Sequence, residues 1–326
     1  MHVKIAMNKD LISRSIEREA PPCEICGADQ PRVVAARTDL MLGGRDTFIV
    51  CQCGGCGVLY QHPRPSEALI GRHYPADTSY PSYRQAVAAE PILRRLSRRA
   101  VLRRRCGLVL RHVRAGRLLD VGCATGDFLA EMRRQPGWSV VGAEPSAAAG
   151  RYAAAQSGAP IIRSLLNDAP FATASFDAIT MWDVLEHVYR PREVIAEAAR
   201  ILRPGGVLVV NHPNTESLDR SLFGPIWVGY DLPRHTYLYP SVLLARLMVE
   251  YGLREAERVC LYGSHSVLAD NLTYLAERRL GQGAASRTIA KTLRSLPVRL
   301  LAAPYITTID RLRRGGNITA VFVRDL

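Results

Sequence analysis

The chain has 326 residues, 48% hydrophobic and 22% charged, with a mean hydropathy of −0.03. That balance belongs to a globular protein with a sizeable core and excludes a peptide or a disordered chain, and no apolar run reaches the length of a membrane-spanning helix. The formal net charge of +13 admits nucleic acid or anionic lipid as a partner, but segment 92–114 holds nine arginines and no acid, so the basicity is local. Lysine occurs only at Lys4, Lys9 and Lys291, an arginine bias that a GC-rich genome also produces. At about 150 residues per domain, this length predicts two folding units.

Residues 1–22 read as an N-terminal extension without the apolar core or small-residue cleavage site of a signal peptide, so the expected compartment is the cytoplasm. Residues 23–75 are expected to form a small zinc-ribbon-like domain. Cys23-x2-Cys26 and Cys53-x2-Cys56, separated by residues 27–52, have the spacing of two knuckles that present four thiolates to one tetrahedral Zn2+. Gly27 and Gly57 follow the second cysteine of each pair, as a tight turn requires. Cys51 with Cys53 is an alternative pair, and free or redox-active thiols are an alternative use. Four thiolates leave no open position on the metal, which makes the expected role structural.

Residues 76–115 read as a basic helical linker. Ile92, Leu93, Leu96, Ala100, Val101, Leu108 and Val109 recur at rough helical spacing with arginines between them. Such a helix can lie on anionic lipid, bind nucleic acid, or present a solvated basic face while its apolar stripe packs on a sheet; the last is the expectation.

Residues 116–326 carry the candidate chemistry. RLLDVGCATGDFLAEM reads as a strand ending at Asp120, a glycine-rich turn and a helix through Phe128, Leu129 and Met132. A dinucleotide fingerprint needs glycine at 122, 124 and 127, where the chain has Gly122, Ala124 and Asp127, so NAD and FAD are disfavoured; a phosphate-binding loop lacks its Lys-Ser/Thr. The strand SVVGAEPS ends in Glu144, whose carboxylate can accept from both hydroxyls of a ribose, and together these features suggest an adenosine. Then come Ile161-Ile162, a turn at Asn167-Asp168, the strand SFDAITMWDVLEHV, a helix over 191–202, the turn Arg203-Pro204-Gly205-Gly206 and the strand VLVVNHP. This alternation predicts a doubly wound α/β sheet with ligands at the carboxyl ends of its strands.

These residues resemble the class I S-adenosylmethionine-dependent methyltransferases over about 118–260. DVGCATG looks like that family's first motif, Glu144 like its ribose-binding acid, FDAITMWDVLEHV like its fourth-strand motif and LRPGGVLVVNHPN like its turn and fifth strand. The resemblance implies a Rossmann-like seven-stranded sheet whose last strand, NITAVFVRDL, runs antiparallel beside the fifth. It also implies S-adenosyl-L-methionine as cofactor. Asp120, Gly122, Ala124 and Gly126 would line its methionine end, Leu165 and Leu166 flank the adenine, and Trp182 cover it, with Cys123 and Pro145 in the same site. Ala124 replaces the commoner middle glycine. The CxxCG pairs, HPRPS and WVGYDLPRHTYLYPSVLLARLMVEYGL look like a bacterial subgroup with an N-terminal zinc ribbon, whose members often modify sugars, quinone precursors or other small metabolites.

Methyl transfer from a sulfonium is an in-line displacement that alignment does most to accelerate, and a base is needed only for a poorly ionised acceptor. His235 and Tyr230 lie where that family's acceptor cap sits, and His187 ends the fourth-strand motif; all three are candidates, each with a structural role as the alternative. Some quinone O-methyltransferases with a similar stretch bind a divalent cation at residues like Asp183, Glu186 and His187, the alternative being a helix N-terminal acid among packed neighbours. Between an expected strand at 256–262 and the last strand lies a helical insertion, 264–316, broken by Pro297 and Pro304. Its apolar stripe, Leu296, Val298, Leu300, Leu301, Tyr305 and Ile306, is expected to pack internally, with a membrane or partner as the alternative.

The expectation is therefore a cytoplasmic enzyme that methylates oxygen or carbon of a small molecule such as a sugar, quinone-like or isoprenoid-linked metabolite, with peripheral contact with the inner face of a membrane left open. An RNA methyltransferase using the basic segment 94–114 is the alternative. Trp182-Asp183-Val184-Leu185 stands where base-amino methyltransferases carry Asn-Pro-Pro-aromatic, which weighs against it. A non-enzymatic interaction module is the third reading, and intact cofactor motifs weigh against that.

Overall fold

A computed structural model describes residues 17–74 and 92–326; the expected extension up to residue 16 and linker residues 76–91 lie outside the described residues. In chain order the elements are β1 (Arg18–Glu19), β2 (Pro31–Arg37), β3 (Phe48–Cys53), β4 (Leu59–Gln61), β5 (Arg64–Pro65), α1 (Ile92–His112), β6 (Gly116–Val121), α2 (Asp127–Met132), β7 (Trp138–Ala143), α3 (Ala147–Ser157) and β8 (Ile161–Ile162). There follow β9 (Phe176–Trp182), α4 (Pro191–Ile201), β10 (Leu202–Pro213), α5 (Leu218–Phe223), β11 (Tyr237–Leu238), α6 (Ser241–Val249), β12 (Leu253–Val259), α7 (Ser264–Leu280), α8 (Ala284–Leu293), α9 (Leu296–Arg311) and β13 (Asn317–Arg324).

Seven strands form one mixed sheet in the order β12-β13-β10-β9-β6-β7-β8. β6 to β10 are parallel, and β13 lies antiparallel between β10 and β12. Their apolar runs suit this place: Leu118-Leu119, Ala178-Ile179 and Leu208-Val209-Val210 are fully buried, as parallel strands covered on both faces must be. From β6 the chain moves outward to β7 and β8, then returns to β9 and β10 on the other side. That reversal opens a crevice at the carboxyl ends of β6 and β9.

Local signals set the flanking helices. Ser146 caps α3, its side chain accepting from the Ala149 N–H, and Gly158 in the left-handed region ends it. Pro191 opens α4. Of the expected α1 stripe, Leu108 and Val109 are buried together with Leu102 and Cys106, whereas Ile92 and Leu96 stand exposed. The insertion forms α7, α8 and α9; the break expected at Pro297 falls between α8 and α9, and the one expected at Pro304 does not occur. Pro297 sits in the first turn of α9, where its missing N–H costs nothing, and Pro304 lies inside the helix.

The cysteine-rich region is joined to the large sheet rather than set apart from it. β2, β3 and β4 form an antiparallel sheet whose fourth strand is β11, with Tyr237 opposite Tyr60 and Leu238 opposite Leu59. Ile25, Ile49, Val58 and Tyr60 share a core with Leu119, Val121 and Met181 of the large sheet. The Arg192 guanidinium of α4 donates to the Ile25 carbonyl at 2.9 and 2.6 Å, and Arg64 of β5 lies over the Tyr189 ring.

Candidate active site

The loop after β6 is shaped by its glycines. Gly122 and Gly126 adopt φ of 65° and 74°, and a Cβ on them would stand 2.7 Å from the Val184 side chain and 2.9 Å from the Ala153 backbone. Ala124 holds the same hand of backbone at φ 46°. The loop therefore presses against α3 on one side and the end of β9 on the other. Asp120 is buried and accepts from the Thr180 hydroxyl at 2.7 Å; burial pushes its carboxyl up to about 7, against the pull of Thr180 and Arg105.

Glu144 ends β7 beside this loop, accepting from the Ala124 N–H at 3.0 Å through Oε2 and from the Ser146 N–H at 2.9 Å through Oε1. These bonds fix the carboxylate beside the loop. Pro145 is exposed next to it, and Cys123 is buried under the loop. The expected adenine pair divides: Leu165 is half exposed, whereas Leu166 is packed in the core. Trp182 is buried edge-on to Phe128, with the Arg105 guanidinium 4.6 Å from its ring centre and 4.3 Å from that of Tyr262.

Asp183 does not join Glu186 and His187 in one donor group, which removes it from the cation-site reading of this stretch. Asp183 accepts from Asn211 and Tyr262 and lies 3.6 Å from Arg105. Glu186 and His187 instead meet His235, bringing one donor atom each to within 4.8 Å of one another. Glu186 is buried and neither carboxylate oxygen has a hydrogen-bond partner among the described residues; burial, then the Asp183 charge, raises its carboxyl well above the ordinary range.

Both imidazoles are oriented by carbonyls. His235 Nδ1 lies 2.9 Å from the Gly229 oxygen and His187 Nδ1 3.0 Å from the Arg234 oxygen. A carbonyl only accepts, so Nδ1 carries the proton and Nε2 of each neutral ring keeps its lone pair. The rings stand edge to face at 4.7 Å. Burial, then the neighbouring His235, lowers His187 to about 3, and burial lowers His235 as well, so both are neutral at pH 7.

Tyr230, the remaining candidate, is buried among Trp227 and the Arg37 guanidinium, in a small core with Phe48 and Val50. The tyrosine at the histidines is Tyr74, whose hydroxyl lies 3.0 Å from His187 Nδ1. Beneath them Arg234 donates to both oxygens of Asp39 at 3.0 and 3.1 Å, to Asp231 at 2.9 and 2.6 Å and to the His73 carbonyl. No local pattern marks Tyr74, Asp39, Asp231 or Arg234.

At the other edge, Cys23 Sγ lies 3.8 Å from Cys56 Sγ and Cys26 Sγ 3.5 Å from Cys53 Sγ, all four within 4.8 Å of one another. Cys51 points away, its thiol toward the His62 carbonyl.

A family profile described as a methyltransferase domain matches residues 82–257. A ubiquinone biosynthesis O-methyltransferase of Thiobacillus denitrificans is 33% identical over 153 residues, 43% of this chain and 66% of that protein. Another of Hahella chejuensis is 35% identical over 144 residues, 40% of this chain and 60% of that protein. The chain thus spans less than two thirds of the length of these relatives. The solved geranyl diphosphate C-methyltransferase of Streptomyces coelicolor is similar at a TM-score of 0.46 and 16% identity, over 68% of this chain and 78% of that one.

Proposed function

The chain belongs to the methyltransferase-domain family, and on that premise we propose that it transfers a methyl group from S-adenosylmethionine to oxygen of a quinone-like small molecule. The observation that carries this reading is the meeting, through Gly122 against Val184, of the loop and Glu144 with the strand end that bears Glu186 and His187 opposite His235. The loop and Glu144 fit the cofactor: bare backbone at Gly122 and Gly126 admits a close ligand, and the fixed carboxylate suits a ribose diol. When bound there, the sulfonium supplies an electrophilic methyl group. The chain's own task is to hold the acceptor in line and take its proton, for which His235 Nε2 is the base and Tyr74 and His187 its neighbours.

Adding pure protein and methyl-labelled S-adenosylmethionine to polar, lipid and RNA fractions of a cell extract tests this reading. Label is expected in a small phenolic or lipid-soluble product; label confined to RNA would overturn it. RNA is disfavoured because the relatives reported above are named for O-methylation in ubiquinone biosynthesis. For the cofactor, Glu144→Ala should weaken binding by roughly 2 to 3 kcal/mol, the loss of two hydrogen bonds to a charged group. Unchanged affinity by calorimetry would remove Glu144 from the site.

Cys23, Cys26, Cys53 and Cys56 we assign to one structural Zn2+. Thiolates at about 2.3 Å from a tetrahedral ion stand about 3.8 Å apart, close to the separations here. Elemental analysis should find one zinc per chain, absent from the Cys53→Ser/Cys56→Ser variant; full retention there would return Cys51 to the ligand set. The division at residues 75 and 115 belongs to the same proposal. Glu186, His187 and His235 also form a donor set suited to a divalent cation, which would stabilise a phenolate. Activity lost on dialysis against a chelator and restored by Mg2+ or Mn2+ would favour the cation; undiminished activity leaves His235 to act unaided.

A further inference from the structure

Helix α9 conflicts with the rule that an apolar helix buries its apolar face. LPVRLLAAPYITTIDR is mostly apolar, yet of its 16 residues only Ile309 is buried. Leu300 and Leu301 are 65% and 83% exposed, and Leu296 and Tyr305 are also open. The helix is too short to cross a bilayer, and no described helix is long and apolar enough to do so.

Its neighbourhood indicates what covers it. Arg299 of α9 donates to the Ser97 hydroxyl of α1 at 3.0 Å, so segments two hundred residues apart are neighbours. Beside it, α1 exposes Ile92 and Leu96 and, around its surface, Arg94, Arg95, Arg99, Arg103 and Arg104. Segment 264–316 holds nine basic residues and three acids, and 92–114 nine arginines and none. Exposed leucines and an isoleucine in a field of arginine is the composition of an element that lies in a membrane interface, apolar side chains in the acyl boundary and cations at anionic headgroups. A second copy of the chain would set two strongly positive faces against each other, which charge opposes.

We propose that the exposed face of α1 and α9 docks on an anionic phospholipid bilayer. The face also adjoins the candidate active site. Arg98 of α1 pairs with Asp127 just after the glycine loop at 3.1 Å, and Arg105, two turns on, reaches Asp183. Docking therefore brings the carboxyl ends of the strands to the lipid surface, where an acceptor with an apolar tail would be held.

Co-sedimentation of the full chain with vesicles, at low and at high salt, tests this. The wild type should sediment with vesicles of about equal parts phosphatidylglycerol and phosphatidylcholine, less at high salt, and not with phosphatidylcholine alone. Leu300→Asp/Leu301→Asp should lower partitioning at least tenfold through loss of apolar insertion. Arg94→Gln/Arg95→Gln/Arg99→Gln should lower it roughly 100-fold, as three cations near an anionic surface would. All these residues are exposed, so melting temperature should stay at the wild-type value and separate lost docking from lost fold. No binding to the mixed vesicles, or binding that survives both variants, would overturn the proposal. So would a wild-type dimer in sedimentation velocity that Leu300→Asp/Leu301→Asp turns into monomer, since the face would then be a self-association surface.

Discussion

His235→Gln should slow methyl transfer by roughly 100- to 10,000-fold, the range for loss of a positioned general base, while leaving cofactor affinity unchanged. Glutamine keeps the side chain near its volume, and His235 touches neither the loop at 122–126 nor Glu144 in any hydrogen bond described. The base must be neutral to work. Burial lowers the His235 pKa below 6.5, against the pull of Asp231, so activity should persist to a lower pH than an ordinary imidazole allows and fall once pH drops through the folded value. The same sign holds for stability: a histidine favoured neutral in the fold contributes above its unfolded pKa and ceases to contribute as pH falls. A His235→Gln enzyme with wild-type turnover would show that the acceptor arrives ionised or loses its proton elsewhere. A drop in cofactor affinity of the same size would make His235 a structural residue.

What could be read from the sequence is what is encoded over a few residues. The glycine loop, Glu144 at a strand end and the two CxxC pairs are local patterns, and in the structure they form a turn, the carboxyl end of β7 and a group of four sulfurs. The alternation of strands and helices followed from hydrophobic runs and the turns between them, whereas the antiparallel place of the last strand came from the family resemblance. Pairing across the chain was not legible. Tyr230, five residues before His235, was grouped with it by proximity, but the intervening chain turns Tyr230 into the core around Trp227 while Tyr74 arrives from the cysteine-rich region. Leu165 and Leu166 differ by one residue and so face opposite ways. Asp183 and Glu186, three apart, separate because Asp183 takes a φ of 59° at the strand end and turns toward Asn211 and Tyr262. Composition misjudged α9 for a similar reason: a rule that apolar helices pack inward cannot say whether the fold leaves room for one.

Arg234→Leu should destabilise the protein by about 3 to 5 kcal/mol, the cost of breaking a buried ion pair and leaving its partner charged. Arg234 is 2% exposed, and its guanidinium joins Asp39 of the cysteine-rich region to Asp231 of the segment that carries His235. Asp39, equally buried, would keep the Met41 and Leu42 N–H bonds and its contact with His73 Nδ1 at 3.2 Å, but no permanent cation. Burial pushes its carboxyl up, but those two N–H groups and Arg234 together hold it below the ordinary range. Its contribution is therefore present above the unfolded pKa near 4 and is lost as pH falls through the lower folded value. At about 2 to 4 °C per kcal/mol, melting should drop by on the order of 10 °C at pH 7, and the difference from wild type should narrow in acid. Arg234→Lys separates charge from geometry: an ammonium cannot fork to two carboxylates, so its melting temperature should fall between the two. Because the Arg234 carbonyl also orients His187, the leucine variant should lose activity at temperatures where it is still folded. Melting within a degree of wild type in Arg234→Leu would mean that the two regions are held by their shared apolar core and by β11 alone, with the ion network a passenger.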